Sequence, residues 1–434
     1  MRRPREHPWH MPLLDAKRDA VCTMMSARPA TSTMAVAGGI TARVGRRAQF
    51  PHSAFSDRAV QQASIFATRP TDVFITTAPK TGTTWLQQIL HQLRAATLCD
   101  VGRAEGHMDF DDVYQVVPWA QMSDDLGVNL DAEQWAPRRA TWGSAATVPR
   151  FFKSHQRISA INRGAKVLCV VRSPAATLFS WYNFLCAMKV PQVLAYPSVN
   201  EFVHDSEYCV DGMRFGASLW EYFSEFFLCA TLPNVLCLVY EDLHADLTAH
   251  LPMLATFAGL PACGADVCAA VAERCSKAFM AVHSSKFDGS WAYAQLEAEG
   301  RTRELESSRP AARVGSSTSS PQTPAQARKH LRSVLGVTSA SGAGGGSAGP
   351  SVGPAVAPSS PRCVLHRRRT SSFRQEEQHD IARGVERVFT PEALAFIDAQ
   401  WARIVAPATG CASYSEMVAV LRLRLAESRR AAGL

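Results

Sequence analysis

Short apolar runs rich in β-branched residues alternate with longer stretches of helical periodicity between about residues 65 and 300. The apolar runs cover 73–77, 166–171 and 235–240, and helix-like stretches at 83–95, 175–188 and 243–258 follow them. Strands that alternate with helices form βαβ units, which build a parallel sheet covered by helices. The pattern therefore predicts an α/β fold with a central parallel sheet flanked by helices, and residues 150–153 as a further strand.

Two segments lack the periodicity of a packed core. Residues 1–62 are rich in Arg, Ser, Ala and Met, and residues 301–365 contain long Ser- and Gly-rich tracts. The first segment is predicted to be a disordered extension or an organellar transit peptide, and the second a low-complexity insertion. Because Thr390-Pro391 is typical of a helix start, one domain is predicted over 63–434, with a final amphipathic helix at about 415–431.

The net charge is unevenly distributed along the chain. The 46 Lys and Arg against 38 Asp and Glu give a formal charge of +8. Residues 1–50 carry +6 and residues 301–375 carry +10, so the remainder is acidic, with −8. This division argues against nucleic acid as a partner of the globular part. Within that part, residues 151–200 hold six basic residues and no acidic one, which indicates either an anion site or a solvated basic face.

Cysteine spacing and hydropathy exclude two further classes of protein. The twelve cysteines are scattered and include no Cys-x-x-Cys pair, so the sequence predicts no zinc site and reduced thiols. No run of about 18 uncharged apolar residues occurs, so no membrane span is expected. A cytoplasmic location follows as a prediction, with an organelle as the alternative if residues 1–60 are a transit peptide.

The most informative motif is the segment 76–85, Thr-Thr-Ala-Pro-Lys-Thr-Gly-Thr-Thr-Trp. A strand runs into a loop of small residues with one Lys, and a helix follows. Backbone N–H groups and a helix N-terminus arranged in this way form a phosphate cradle. The loop differs from a Walker A motif, in which Lys follows the second Gly, because Lys80 precedes Gly82. The alternative is a Thr-rich helix cap.

With Trp85 included, this segment resembles the 5′-phosphosulfate loop of the cytosolic-type sulfotransferases, which use 3′-phosphoadenosine 5′-phosphosulfate (PAPS). Three further segments resemble that family in the same order: 149–155 (Pro-Arg-Phe-Phe-Lys-Ser-His), 170–182 (Val-Val-Arg-Ser-Pro through Trp-Tyr) and 239–242 (Val-Tyr-Glu-Asp). The resemblance covers roughly residues 65–290 and resumes at about 365–405. It implies a sulfotransferase that moves sulfonate in line from PAPS to a hydroxyl or amine of a small-molecule acceptor, without a metal.

The resemblance also implies a role for each matching residue. Lys80 and Lys153 are expected to stabilise the charge on the transferring group, and His155, near an ordinary pKa of ~6.5, to act as general base. Arg172 and Ser180 are expected to hold the 3′-phosphate from one shared cleft. The full set of predicted donor-binding residues is Lys80, Thr81, Gly82, Thr83, Thr84, Trp85, Arg172, Ser180, Tyr240, Ser276, Arg368 and Arg369.

The chain departs from the family pattern at three places. The C-terminal Arg-Lys-Gly segment is replaced by His366-Arg-Arg-Arg369, which leaves open which arginine meets the 3′-phosphate. The Thr-Ser-Phe adenine segment is replaced by Cys275-Ser-Lys277. The family's dimerisation motif, expected at about 386–395, is not retained, so the oligomeric state stays open. A P-loop nucleotide kinase and a scaffold protein built on an inactive fold are the competing interpretations.

Overall fold

The computed structural model describes residues 55–98, 108–132, 134, 148–161, 164–187, 191–194, 196–205, 208–210, 217–298, 384 and 387–432. Within these residues four strands form one parallel sheet of order β2-β1-β3-β4. The strands are β1 (Val73–Thr76), β2 (Phe151–Ser154), β3 (Lys166–Val171) and β4 (Val235–Val239). The predicted fold class is therefore confirmed, and the further strand forms at 151–154.

Helices follow the strands and cover both faces of the sheet. The helices before the low-complexity insertion are α1 (Asp57–Ile65), α2 (Thr83–Leu98), α3 (Pro174–Ala187), α4 (Pro191–Leu194), α5 (Val199–Asp205), α6 (Leu219–Cys229), α7 (Tyr240–Ala245), α8 (Leu251–Ala258), α9 (Ala265–Arg274), α10 (Lys277–Val282) and α11 (Ser290–Ala298). Those after it are α12 (Pro391–Gln400), α13 (Ala406–Thr409) and α14 (Tyr414–Ala432), with a π-helical turn at Trp401–Val405.

Alternate residues of each strand enter two different hydrophobic clusters. Phe74 and Cys169 belong to one cluster, and Val73, Ile75 and Leu168 belong to the other. Successive strand side chains point to opposite faces, so a sheet with both faces covered needs apolar residues at every position. This requirement explains the continuous apolar runs by which the strands are recognised in the sequence.

The prediction of one continuous helix over 243–258 is wrong. The structure has two helices there, α7 and α8, separated by Asp246 in a non-helical conformation and a 3₁₀ turn at Thr248–His250. Pro252 explains part of the break, because proline is compatible with the first turn of a new helix but not with the interior of a long one. The predicted strand at 235–240 also ends one residue early, since Tyr240 opens α7.

The C-terminal segment returns to the domain after the insertion. Thr390 caps α12 by accepting a hydrogen bond from the Ala393 amide, and Pro391 occupies the first turn, as the sequence predicts. Ile397 and Trp401 of this segment are buried in the main core. The insertion at 301–365 and residues 1–54 lie outside the described residues, so their assignment stays a prediction. The predicted boundary at residue 62 is too late, because α1 begins at Asp57 and both Phe55 and Ala59 are buried.

One helical stretch among the described residues, Pro391–Arg430, is long and apolar enough to cross a membrane by length and composition alone. Core helices of globular domains meet the same criterion. This stretch is broken by a left-handed Gly410 with φ 76°, and Met417 and Leu421 pack into the main core. Arg422 forms an ion pair of 2.6 Å with Asp242. These contacts describe a helix that packs on the sheet domain.

Candidate active site

The loop between β1 and α2 has an unusual backbone. Lys80 has φ 69° and Gly82 has φ 110°, and left-handed values are rare for a residue other than glycine. Two contacts hold this conformation: Tyr208 Oη donates to the Pro79 carbonyl and Arg172 Nη1 donates to the Lys80 carbonyl, both at 2.8 Å. A loop of this kind, ahead of a helix N-terminus, directs backbone N–H groups toward an anion.

The threonine hydroxyls of the loop are not equivalent. Thr81 is fully buried, and its Oγ1 donates to the Ala78 carbonyl at 2.8 Å. Thr83 Oγ1 lies 2.5 Å from Thr77 Oγ1, and both residues are buried. Thr84 is the most exposed of the three predicted threonine ligands. The hydroxyls of Thr81 and Thr83 therefore make hydrogen bonds within the loop, while Thr84, at the start of α2, is more accessible to solvent.

The ammonium groups of Lys80, in the loop, and of Lys153, in β2, each lie against an aromatic ring. Lys80 Nζ lies 4.3 Å from the centroid of Phe184, and Lys153 Nζ lies 3.5 Å from that of Trp119. Burial, with the nearby Arg172 charge, lowers the pKa of Lys80 to about 8. Burial lowers the pKa of Lys153 to about 7, and the charge of Lys80 acts in the same direction. An anion bound near either lysine would therefore stabilise its charged form.

His155 follows the end of β2 and lies beside the loop. Its Nδ1 is 2.8 Å from the Thr77 carbonyl oxygen. Because a carbonyl only accepts, Nδ1 carries the proton and Nε2 keeps its lone pair. Burial and the charge of Lys153 lower the pKa of His155 to about 3, so the expectation of an ordinary pKa does not hold. The ring is therefore neutral near pH 7 and able to accept a proton at Nε2.

Helix α6 fixes the backbone around this histidine. Tyr222 Oη donates to the His155 carbonyl. The buried carboxylate of Glu225 accepts from the amides of Ile158 and Ser159 at 3.2 and 3.0 Å, and from Arg157 Nε at 3.1 Å. A fixed backbone keeps the imidazole in one orientation, which proton transfer requires.

Arg172 lies at the end of β3 and meets the loop directly. Besides its bond to the Lys80 carbonyl, its guanidinium lies 4.5 Å from the ring centroid of Tyr240. Trp85 contacts the same tyrosine edge-on at 5.6 Å between centroids. Gly82 completes the contact, since a Cβ added there would lie 3.0 Å from Tyr240 Cδ2. Residues from three separate sequence motifs therefore meet at one place.

The remaining predicted residues are placed as follows. Trp85 Nε1 donates to the Cys275 carbonyl at 2.8 Å, which brings the neighbouring Ser276 to this end of the site, where its Oγ caps α10. Ser180 lies in the second turn of α3 and is buried, with 2% exposure, and the predicted cleft shared with Arg172 stays a prediction. Arg368 and Arg369 lie outside the described residues.

Sequence reasoning missed several residues that hold the two lysines. Phe184 lies under Lys80, and Tyr114 Oη accepts from Lys153 Nζ at 2.8 Å. Asp112 caps the 3₁₀ turn that carries Tyr114. Tyr114 and Asp112 lie in a stretch without regular periodicity, so no local signal marks them. Among the described residues no cluster of three His, Cys, Asp or Glu side chains is arranged to hold a metal ion.

The fold and this cationic loop define a class: a parallel α/β protein with a candidate anion-binding loop beside a neutral histidine. A sulfotransferase domain model matches residues 70–293, which is more than half of the chain. The chain therefore belongs to the sulfotransferase family, which confirms the predicted recognition and its classification as an enzyme. The family match argues against the nucleotide kinase interpretation.

The individual relatives share low sequence identity with this chain. Human sulfotransferase 4A1 is 28% identical over 222 residues, covering 50% of this chain and 69% of that protein. Mouse sulfotransferase 1A1 is 25% identical over 207 residues, covering 46% and 64%. The matches thus span about two thirds of these relatives. A retinol dehydratase solved with retinol and PAP aligns with a TM-score of 0.39 at 16% identity, covering 58% of this chain and 85% of the other. A score this low describes partial overlap of the folds and says nothing of this chain's ligand.

Proposed function

We propose that this chain transfers a sulfonate group from PAPS to a hydroxyl or amine of a small-molecule acceptor, with His155 as general base. One observation carries the proposal: the 2.8 Å bond from Arg172 Nη1 to the Lys80 carbonyl. It joins the predicted 3′-phosphate ligand to the predicted 5′-phosphosulfate loop. A nucleotide with phosphates at both positions is a ligand that calls for two neighbouring anion sites.

The residues present fit such a donor. Gly82 lets Tyr240 approach so closely that an added Cβ would lie 3.0 Å from its ring, and Trp85 adds a second ring for a base to contact. Lys80 in the loop and Lys153 near it supply positive charge, and the helix N-terminus at Thr83 adds a partial charge. Bound PAPS supplies the sulfonate and an anionic leaving group.

The chain's own groups then perform two tasks. Lys80 and Lys153 stabilise negative charge that spreads over the reacting oxygens, as preorganised cations do in related transfers. His155 accepts the acceptor's proton at Nε2, while the Thr77 carbonyl keeps the proton on Nδ1. The anionic donor offsets the two ammonium charges that lower the pKa of His155, so the ring becomes a stronger base when the site is loaded.

Thermal denaturation of the full chain with nucleotides tests the donor assignment. Adenosine 3′,5′-bisphosphate at 100 times its Kd should stabilise the protein by about 2.7 kcal/mol, and adenosine 5′-monophosphate at the same concentration should stabilise it less. Transfer of labelled sulfonate to a panel of phenols, alcohols and amines then identifies the acceptor class. A protein stabilised by ATP and magnesium but not by the bisphosphate would contradict the proposal.

A further inference from the structure

The ammonium group of Lys153 sits in a cage built by the segment that precedes β2. Its Nζ lies 3.5 Å from the ring centroid of Trp119 and 4.7 Å from that of Tyr114, and it donates to Tyr114 Oη at 2.8 Å. Trp119 is held beside the lysine by the backbone, because the Lys153 amide donates to the Pro118 carbonyl at 2.8 Å. The cage therefore fixes where the charge lies.

The buried carboxylate of Asp112 supports this cage by capping the turn that carries Tyr114. Asp112 is fully buried and caps the 3₁₀ turn Val113–Gln115, where its Oδ1 accepts from the Tyr114 amide at 3.0 Å. The Gly289 amide also favours the ionised carboxylate, but Oδ2 forms no hydrogen bond of standard geometry among the described residues. A buried carboxylate that is paired this weakly is costly, and a cap alone needs only one oxygen.

The charges around Lys153 supply that reason. Lys80 repels the ammonium of Lys153, and burial disfavours its charge, while Asp112 is the carboxylate that raises the pKa of Lys153. Conversely, burial and the charge of Asp288 raise the pKa of Asp112 to about 7, whereas Lys153 and the Tyr114 and Gly289 amides act in the opposite direction. The carboxylate of Asp112 and the ammonium of Lys153 therefore each favour the charged form of the other.

We propose that Asp112 is a positioning residue for Lys153: its cap sets the Tyr114 hydroxyl that orients the ammonium, and its carboxylate serves as a counter-charge until the donor arrives. This inference rests on the proposed function, in which Lys153 meets the sulfonate. Asp112 itself, fully buried, does not touch the donor. Its contribution ends when the anionic donor takes over as counter-ion.

The test measures the charge on Lys153 directly. The chain has eight lysines, so ¹³C-labelled lysine ε-carbons of the full protein give a small set of NMR signals, and Lys153→Arg identifies the relevant one. Asp112→Asn keeps an oxygen that can cap Tyr114, because Asn and Asp are equivalent caps, but it removes the charge. The Lys153 titration should then move to lower pH by about 1 pH unit.

Two further variants sharpen the result. Asp111→Asn removes an exposed carboxylate from the adjacent position and should leave the Lys153 titration in place. Asp288→Asn keeps the cap that Asp288 gives to the Ser290 amide and removes the charge that repels Asp112. Asp112 should then ionise more fully, so the Lys153 titration should move to higher pH, the opposite direction. This variant also keeps the test decisive if Asp112→Asn fails to fold.

Turnover provides the functional readout. In Asp112→Asn, kcat/KM for the donor should fall about tenfold at pH 8 and stay within about twofold of wild type at pH 6, because the variant lysine is still about half protonated at the lower pH. A Lys153 titration that both variants leave unmoved would overturn the inference. If wild type does not bind adenosine 3′,5′-bisphosphate, the proposed function fails instead, and the NMR result still stands by itself.

Discussion

Gly82 allows a quantitative test of how closely Tyr240 packs against the loop between β1 and α2. Gly82→Ala places a methyl group at φ 110°, 3.0 Å from Tyr240 Cδ2 and 3.1 Å from Cε2. Holding a non-glycine residue in such a region costs about 1–3 kcal/mol, and the contact is tight enough that the neighbouring ring must give way by a few tenths of an ångström. Tyr240 must move, and with it the ring surface that lies over Arg172 and against Trp85.

A matched variant separates the two costs. Gly164 also has a positive φ, 88°, but an added Cβ would meet nothing within 4 Å. Gly164→Ala therefore carries backbone strain alone, about 1–3 kcal/mol. We expect Gly82→Ala to lower the free energy of unfolding in urea by about 1–2 kcal/mol more than this control, since overpacking adds that much, and to weaken binding of adenosine 3′,5′-bisphosphate, which Gly164→Ala should leave unchanged.

A double-mutant cycle completes the test. If the ring contact is the cause, Tyr240→Leu should cost less stability in the Gly82→Ala background than in wild type, because the clash is already relieved. Equal losses of stability in Gly82→Ala and Gly164→Ala, together with an additive double mutant, would refute the close approach of Tyr240 to the loop.

The remaining predictions concern the reacting groups. His155→Ala should keep the affinity for adenosine 3′,5′-bisphosphate and lose at least about 100-fold in labelled-sulfonate turnover; near-full turnover would remove His155 from the mechanism. Arg172→Ala should weaken binding of the 3′-phosphorylated nucleotide about 10- to 100-fold more than binding of its 3′-dephospho analogue, and calorimetry showing equal losses would contradict the 3′-phosphate assignment. Because the pKa values of Lys80 and Lys153 are lowered to about 8 and about 7, bisphosphate affinity should fall as pH rises from 6.5 to 9, with net proton uptake on binding near pH 8. An affinity that is flat over this range would show that neither ammonium contacts the nucleotide.

The parts of the fold that the sequence predicts are those with local signals. The strand at 166–171 is apolar at nearly every position because both faces of the sheet are covered, and its predicted bounds agree with β3. Thr390 and Pro391 mark the start of α12 by capping chemistry alone. The break between α7 and α8 depends on a short 3₁₀ turn, which helical periodicity does not reveal.

The same distinction applies to the site. Lys80, His155 and Arg172 lie at strand ends within recognisable motifs, so the sequence indicates them. Asp112 and Tyr114 reach Lys153 only through tertiary contacts across about 40 residues of chain, and the pKa of His155 depends on burial and on two neighbouring ammonium groups. Burial and long-range charge are properties of the folded chain, and no spacing in the sequence carries them.

The contacts of α14 determine when, during synthesis of the chain, the hydrogen bonds next to Arg172 can be completed. Tyr414 Oη donates to Glu241 Oε2 at 2.8 Å, and the other oxygen of Glu241 accepts from the Ser173 amide next to Arg172. Domains acquire structure while synthesis proceeds from the N-terminus. Translation must therefore run past Tyr414 before Glu241, and through it the Ser173 amide beside Arg172, has its full set of hydrogen bonds.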